Sequence, residues 1–341
     1  MRVMQIEGDW GLDNIRLAER PDPVPGPGEI VVRMQAVSIN YRDTVMVNRG
    51  YGRRSGELPL VPLSDGAGTV EAVGEGGGRV ALGDLVCPIF GQNWIDGTFR
   101  EECWGGTLGG PNDGTVQEKM LLSENGVVKA PAHMTAVEAA TLPCAAVTAW
   151  NAVVEQGQVR AGDAVLVQGT GGVSLFALQF AKMHGAEVVA TSSSDDKLDK
   201  AKALGADHLI NYRETPDWGK AARAALGRGV DHIVEVGGGG TLEQSLRAVR
   251  PGGTISLIGV LSGAAGTLNL GSVVTQNVRL QGVTVGSRTM FEAMNRALAL
   301  FGTRPAVDEA HGFAFEDVAA ALRAFPEGRH FGKVCGAGWG V

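Results

Sequence analysis

Cysteine is scarce here, and what there is does not cluster. Cys87, Cys103, Cys144 and Cys335 are scattered through 341 residues with no Cys-x-x-Cys pair, which argues against a disulfide framework and against a structural zinc knuckle. Reduced thiols are the expectation. An excess of positive charge is also lacking: 30 Lys and Arg against 37 Asp and Glu leave a net charge of -7, so there is no basic footprint to track a nucleic acid backbone. No stretch is apolar for the roughly 18 residues that a membrane span requires, and Met1-Arg2-Val3-Met4 begins no apolar signal core. These absences lead to the expectation of a cytoplasmic protein whose partner is a small molecule, neither a nucleic acid nor a membrane.

Glycine, by contrast, is abundant, with 51 residues spread among apolar runs and no low-complexity block or internal repeat. That is a composition of tight turns and close backbone approaches. A chain this long exceeds what one hydrophobic core usually serves, so two domains are expected. The first part reads as short strands, such as Glu29 to Met34 and Gly68 to Val73, separated by Pro/Gly turns such as Pro25-Gly26-Pro27-Gly28, the texture of an all-β region closing into a small barrel.

From about residue 160 apolar strands alternate with helical segments, the pattern of a parallel sheet covered on both faces. The strands predicted are Ala164 to Gln168, Glu187 to Thr191, His208 to Asn211, His232 to Val236 and Thr254 to Ile258, with helices at Val173 to Met183, Asp195 to Leu204 and Leu242 to Val249. Two more helices, Met290 to Phe301 and Glu316 to Ala324, precede Gly332-Lys333-Val334-Cys335, which is expected to return to the first domain as a strand. The boundaries expected are 1–125 for the β-rich domain, 126–288 for the α/β domain and 289–341 for the return.

The sharpest local signal is Val165-Leu166-Val167-Gln168-Gly169-Thr170-Gly171-Gly172-Val173-Ser174, an apolar strand running into a glycine turn that opens an amphipathic helix. Gly169 permits the tight turn, Gly171 lets the backbone approach a ligand, and the free N–H groups of the helix start attract a dinucleotide pyrophosphate. The third position of this fingerprint is Ser174, where Gly or Ala is usual, yet serine is small enough to keep the helix close to the sheet. At the end of the next strand an acidic side chain would hold the ribose hydroxyl of NAD and repel the extra phosphate of NADP. The sequence there is Thr191-Ser192-Ser193-Ser194, and no carboxylate stands at the deciding position. Hydroxyls at Ser192 and Ser193 and the cation of Lys197 suit a phosphate monoester, which favours NADP, although Asp195 and Asp196 stand close by.

Four motifs in order, Pro25-x-Pro27-Gly28-Glu29, Asp65 to Val70, Leu142 to Ala149 and Gly169 to Val173, give the chain a resemblance to the medium-chain dehydrogenase/reductase superfamily that runs nearly end to end. Ser38 to Asp43, Gly50-Tyr51 and Ile210 to Glu214 resemble its zinc-independent quinone oxidoreductase branch. Thr191 to Lys197 is also similar to bacterial zinc-type alcohol dehydrogenase-like proteins. The resemblance implies a GroES-like β-barrel catalytic domain, a Rossmann doubly wound parallel sheet for the cofactor, an active site between them, and a homodimer joined through an edge strand near Arg279 to Val285. Gly169, Thr170, Gly171, Gly172 and Val173 form the expected pyrophosphate turn; by family position Thr148, Val260 and Val285 would lie near the nicotinamide, Lys197 and Tyr212 would contact the adenosine end, and Lys333 would match a lysine of the closing strand.

At the positions where the zinc-dependent branch carries Cys, His-Glu and Cys, this chain has Asn40, Ser64-Asp65 and Cys144. An amide and a hydroxyl are poor zinc ligands, so no metal is expected. Without a Lewis acid, charge developing on a substrate oxygen must be met by hydrogen-bond donors. Asn40 and Tyr51 are the candidates. Asp43, read as a residue at a strand end, ranks below them, and Asp65 is either a proton relay or a turn residue before Gly66. Phe90 to Gly97 and the stretch around Trp104 would line the mouth of the site or serve as ordinary packing. The expected function is NADPH-dependent reduction of a quinone, an enone or a related small carbonyl compound. The alternatives are an NADP-dependent alcohol dehydrogenase or carbonyl reductase, and a non-catalytic NADPH-binding protein.

Overall fold

In the computed structural model, residues 1–338 are described; the last residues of the expected return segment, 339–341, lie outside them. The chain divides into two compact units, one formed by residues 1–147 with 286–341 and the other by residues 148–285. Residues 126–147 therefore belong with the first unit, on the far side of the boundary expected at 125, because they complete its sheet and cover it.

The first unit opens with a hairpin of β1 (Arg2–Ile6) and β2 (Ile15–Glu19). Its main sheet is antiparallel and contains β3 (Glu29–Ser38), β4 (Asp65–Val73), β5 (Leu85–Pro88), β6 (Lys119–Ser123) and β7 (Val127–Lys129), with β3 at its centre pairing both β4 and β6. Ile30, Val32 and Met34 alternate along β3 into one core with Val70, Val86, Met120 and Val127, the period-two pattern of a strand with one apolar face. Val37 and Ile39 continue into a second core with Val3, Ile6, Phe315, Val318 and Leu322.

The second unit is a six-stranded parallel sheet of β8 (Ala164–Gln168), β9 (Glu187–Ser192), β10 (His208–Asn211), β11 (Val230–Glu235), β12 (Val249–Leu257) and β13 (Arg279–Gly282), in the order β10-β9-β8-β11-β12-β13. Every residue of β8 is buried, as expected of a parallel strand covered on both faces. The order reverses between β8 and β11. That switch point, at the carboxyl ends of the strands, is where an open α/β sheet holds its ligand. Among the described residues β13 lies at one edge and pairs only with β12.

The chain then returns to the first unit through the helix Arg288–Phe301 and the shorter helix Val318–Ala324. It ends on β14 (Cys335–Ala337), which pairs antiparallel with β3, Cys335 facing Ser38. The return strand expected from the sequence is thus present. It starts after Lys333, which sits in an isolated bridge to Val307.

Candidate active site and dinucleotide turn

The glycine turn expected to hold a dinucleotide follows β8 directly. Gly169 has φ +70° and its N–H donates to Thr191 O at 2.7 Å, a left-handed backbone that glycine adopts without penalty. A Cβ added at Gly169 or Gly171 would meet nothing within 4 Å, so the turn faces open space. Gly171 is the N-cap of the helix Gly172–Met183, and among the described residues no side chain caps that helix start. Its first N–H groups remain available for an anion, which is what a pyrophosphate requires. Ser174 is buried and donates its Oγ–H to Gln168 O at 2.6 Å, so serine at the third fingerprint position ties the helix to its strand. The residues present fit a dinucleotide.

At the end of β9, Ser192 is buried and accepts from the Ser194 N–H at 3.3 Å, while Ser193 is half-buried. Asp195 accepts from Asn211 Nδ2 at 2.9 Å, so one of the two acids near this corner is tied to β10. Tyr212 and Val260 are exposed. Thr148, Thr170 and Val285 are buried, and Val285 holds φ +46°, a conformation costly for a β-branched residue. Its carbonyl is clamped by Asn151 Nδ2 at 2.7 Å.

Sequence reasoning did not find Glu235, at the end of β11. It is fully buried, accepts from the N–H groups of Gly237 and Gly238 at 2.9 and 3.0 Å and from Thr241 Oγ at 2.6 Å, and binds Gln168 and Ser245 with its other oxygen. The available signal was an acid ending an apolar strand ahead of Gly237-Gly238-Gly239-Gly240.

In the first unit Asn40, Asp43 and Asp65 lie in one hydrogen-bonded group. Asn40 ends the segment after β3 and caps the short helix Tyr41–Met46. Asp43 lies in that helix, not at a strand end: its Oδ2 accepts from the Asn40 N–H at 2.8 Å, and its Oδ1 pairs with Arg42 Nη1 at 3.1 Å. Arg42 also donates to Leu108 O at 3.0 Å and stands over the Phe90 ring. Asp65 is the first residue of β4, not a turn residue, and is fully buried. Its Oδ1 accepts from Ser64 Oγ at 2.9 Å and its Oδ2 from the Cys144 N–H at 3.2 Å. Cys144 lies in a π-helical turn, Leu142–Ala146, a form enriched at functional sites.

Lys333 completes this cluster. It is buried, and its Nζ donates to Ile39 O at 2.8 Å and to Asn40 Oδ1 at 2.5 Å, with Asp65 Oδ2 at 3.8 Å. Asn40 Nδ2 in turn faces Ser64 Oγ at 3.5 Å. Burial pushes the Asp65 carboxyl up to about 6, against the Lys333 cation and the hydrogen bonds from Asn40 and Ser64. Asp43 is also pushed up by burial, against Arg42. Burial raises the Tyr51 phenol and the Cys144 thiol as well, so both hold their protons at neutral pH. Tyr51 nevertheless keeps 44% of its surface exposed.

The aromatic stretch packs largely on itself. Trp94 is buried, Phe99 meets Trp94 and Trp104 edge to face at 4.9 and 5.0 Å, and the Arg54 guanidinium stands 4.6 Å from the centre of the Trp104 ring.

Residues 26–132 match the family model of the alcohol dehydrogenase GroES-like domain, and residues 172–300 that of the zinc-binding dehydrogenases. A zinc-type alcohol dehydrogenase-like protein of Schizosaccharomyces pombe is 42% identical over 332 residues, 95% of each chain. The crystal structure of an NAD-dependent alcohol dehydrogenase aligns with a TM-score of 0.89 at 35% identity, covering 99% of this chain and all of the other (100%). A quinone oxidoreductase of Pseudomonas syringae aligns with a TM-score of 0.81 at 26% identity, over 99% of each chain.

Proposed function

Because this chain belongs to the medium-chain dehydrogenase/reductase superfamily, we propose that it is an NADPH-dependent, zinc-independent oxidoreductase that reduces a quinone, an enone or a related small carbonyl compound. One observation carries the metal-free part: the amide oxygen of Asn40 is already bound by the Lys333 Nζ, whose positive charge also stands 3.8 Å from Asp65. A zinc ion would have to displace that cation, and it would find an amide, a hydroxyl and a thiol that burial keeps protonated. Among the described residues no group of three or more His, Cys, Asp or Glu side chains is placed to hold a metal.

The bound dinucleotide would supply the hydride. The chain's own residues then have to meet the electron pair that moves onto the substrate oxygen. Asn40 Nδ2 and the Tyr51 hydroxyl do this as neutral donors. Tyr51 gives its proton to that oxygen and recovers one from water through its exposed side. Asp65, which changes protonation near pH 6, exchanges a proton with the cluster through Ser64. Asp43 serves by holding the Asn40 backbone and Arg42 in place.

NADPH is preferred on the chemistry of Ser192, Ser193 and Lys197, with Asp195 drawn aside by Asn211. Thr148, Thr170, Gly172, Val173, Tyr212, Val260 and Val285 complete the cofactor set. The unpaired edge of β13 suits a second copy and a homodimer. No helix among the described residues is long and apolar enough to cross a membrane, and a cytoplasmic location fits that.

A second reading, an alcohol dehydrogenase or carbonyl reductase, is favoured by the 35% identical neighbour named as NAD-dependent. Purified protein assayed with NADPH and NADH against quinones, enones and simple ketones, with bound metal measured in parallel, separates the two. Asn40→Ala and Tyr51→Phe should each lower turnover about tenfold or more at saturating cofactor. Lys197→Ala should weaken NADPH binding much more than NADH binding. Stoichiometric zinc whose removal abolishes turnover defeats the metal-free assignment, and a complete lack of NADPH oxidation favours a non-catalytic binder.

A further inference from the structure

Lysine on a strand end usually carries its charge to water along a flexible stem. Lys333 does not, and its side chain is only 4% exposed. Burying a cation costs several kcal/mol unless nearby groups compensate it. Here the compensation comes from the Ile39 carbonyl at 2.8 Å, the Asn40 amide oxygen at 2.5 Å and the charge of Asp65 at 3.8 Å. Arg42, the neighbouring cation, is tied to Asp43 and to the carbonyl oxygens of Leu108 and Gly110. It cannot take over this contact.

The consequence lies in the amide. Asn40 has one accepting end and one donating end, and lysine only donates. The oxygen of Asn40 must therefore face Lys333, and Nδ2 is turned the other way, toward the Asp65 carboxyl and toward Ser64 Oγ, the latter at 3.5 Å, the long limit of a hydrogen bond. A charge-assisted bond to the oxygen of an amide also polarises its N–H groups and strengthens them as donors.

We propose that Lys333 is a positioning residue: it fixes the Asn40 amide with its N–H groups toward the substrate oxygen and lends that amide the positive charge that a metal ion would otherwise bring. This rests on the assignment of Asn40 as the oxygen-stabilising donor. It differs from a role for Lys333 as a contact of the dinucleotide, because it places the effect of the lysine in turnover and routes it through one other side chain.

The test is a double-mutant cycle of Lys333→Met and Asn40→Ala, assayed by NADPH oxidation with para-benzoquinone and cyclohexenone. Lys333→Met should lower kcat about 10- to 100-fold with the NADPH dissociation constant within about threefold of the parent. In the Asn40→Ala background the same substitution should cost less than about threefold, because the group it acts through is gone. Equal losses in both backgrounds overturn the proposal, as does a Lys333→Met variant that weakens NADPH binding at unchanged kcat. If Lys333→Met does not fold, Lys333→Gln, which keeps an N–H donor without the charge, is subjected to the same cycle with the same expectation.

A second readout needs no turnover. With asparagine labelled by the heavy nitrogen isotope, the Asn40 side-chain amide signals are assigned by their loss in Asn40→Ala. They should shift in Lys333→Met while the other asparagine signals stay in place. Unshifted signals overturn the contact. If the parent enzyme reduces none of the quinones or enones, the proposed substrate class falls, and the amide signals still decide whether Lys333 holds Asn40.

Discussion

Gln168 Nε2 donates to Glu235 Oε2 across 2.7 Å, joining the carboxyl ends of β8 and β11 at the point where the strand order reverses. The same carboxylate organises the turn beyond it through Gly237, Gly238 and Thr241. Glu235→Ala would remove the acceptor shared by five donors, four of them buried and Thr241 half-buried. We expect a loss of about 3 kcal/mol or more in unfolding free energy, measured by urea titration, with a smaller loss in Glu235→Gln. A cost below about 1 kcal/mol would mean that water takes over these bonds.

Gly171 tests the cofactor turn without testing the fold. Its Cβ position is open, with nothing within 4 Å, so Gly171→Asp should fold as the parent does and set a carboxylate where the phosphates approach. Dinucleotide affinity, read by quenching of protein fluorescence, should fall about tenfold or more. Unchanged affinity would place the cofactor elsewhere.

The first unit carries a pH signature in Asp65. Its carboxyl titrates at about 6 in the folded protein and from 3.8 when unperturbed. The unfolded chain therefore releases this proton first. The contribution of the group to stability is greatest below about pH 4 and is lost as pH rises through about 6, a change of about 3 kcal/mol. Asp65→Asn should remove that slope, so that the variant gains on the parent between those limits. Parallel stability curves for the two proteins would contradict the assignment.

In the second unit the sign is opposite. His232 is buried, neither ring nitrogen has a hydrogen-bond partner among the described residues, and burial, with Arg279 nearby, lowers its pKa from 6.5 to about 4. Its stability contribution is complete above 6.5 and is lost as pH falls toward 4, by about 3 kcal/mol. His232→Leu should flatten the acid limb of the denaturation profile. An acid limb as steep as the parent's would show that other groups drive it.

Much of this was legible in the sequence because the signals were local. β8 runs from Ala164 to Gln168 and β10 from His208 to Asn211, both as their apolar runs indicated. The turn at Gly169 and the helix after it declared themselves through residue type and order. The helix Tyr41–Met46 did not, since a helix of 6 residues has no periodicity to read. Only the spacing of Asn40 and Asp43, a cap and its reciprocal acceptor, hinted at it. Of the two roles open to Asp65, the turn residue is excluded for a related reason: β4 begins on it, although the glycines after it suggested a turn. Partners distant in sequence were invisible. Glu235 meets Gln168 across 67 residues and Lys333 meets Asn40 across 293, and no pattern within a window of sequence joins such pairs.

That last separation bears on how the molecule is made. β3 and its hairpin partners leave the ribosome early, whereas β14 and the lysine before it emerge only after the whole parallel sheet has been translated. During synthesis Asn40 has no cation to hold its amide, and the buried carboxylate of Asp65 has no counter-charge. The polar cluster is therefore completed last, and a nascent chain stalled before residue 333 carries Asn40, Ser64, Asp65 and Cys144 without the lysine that joins them.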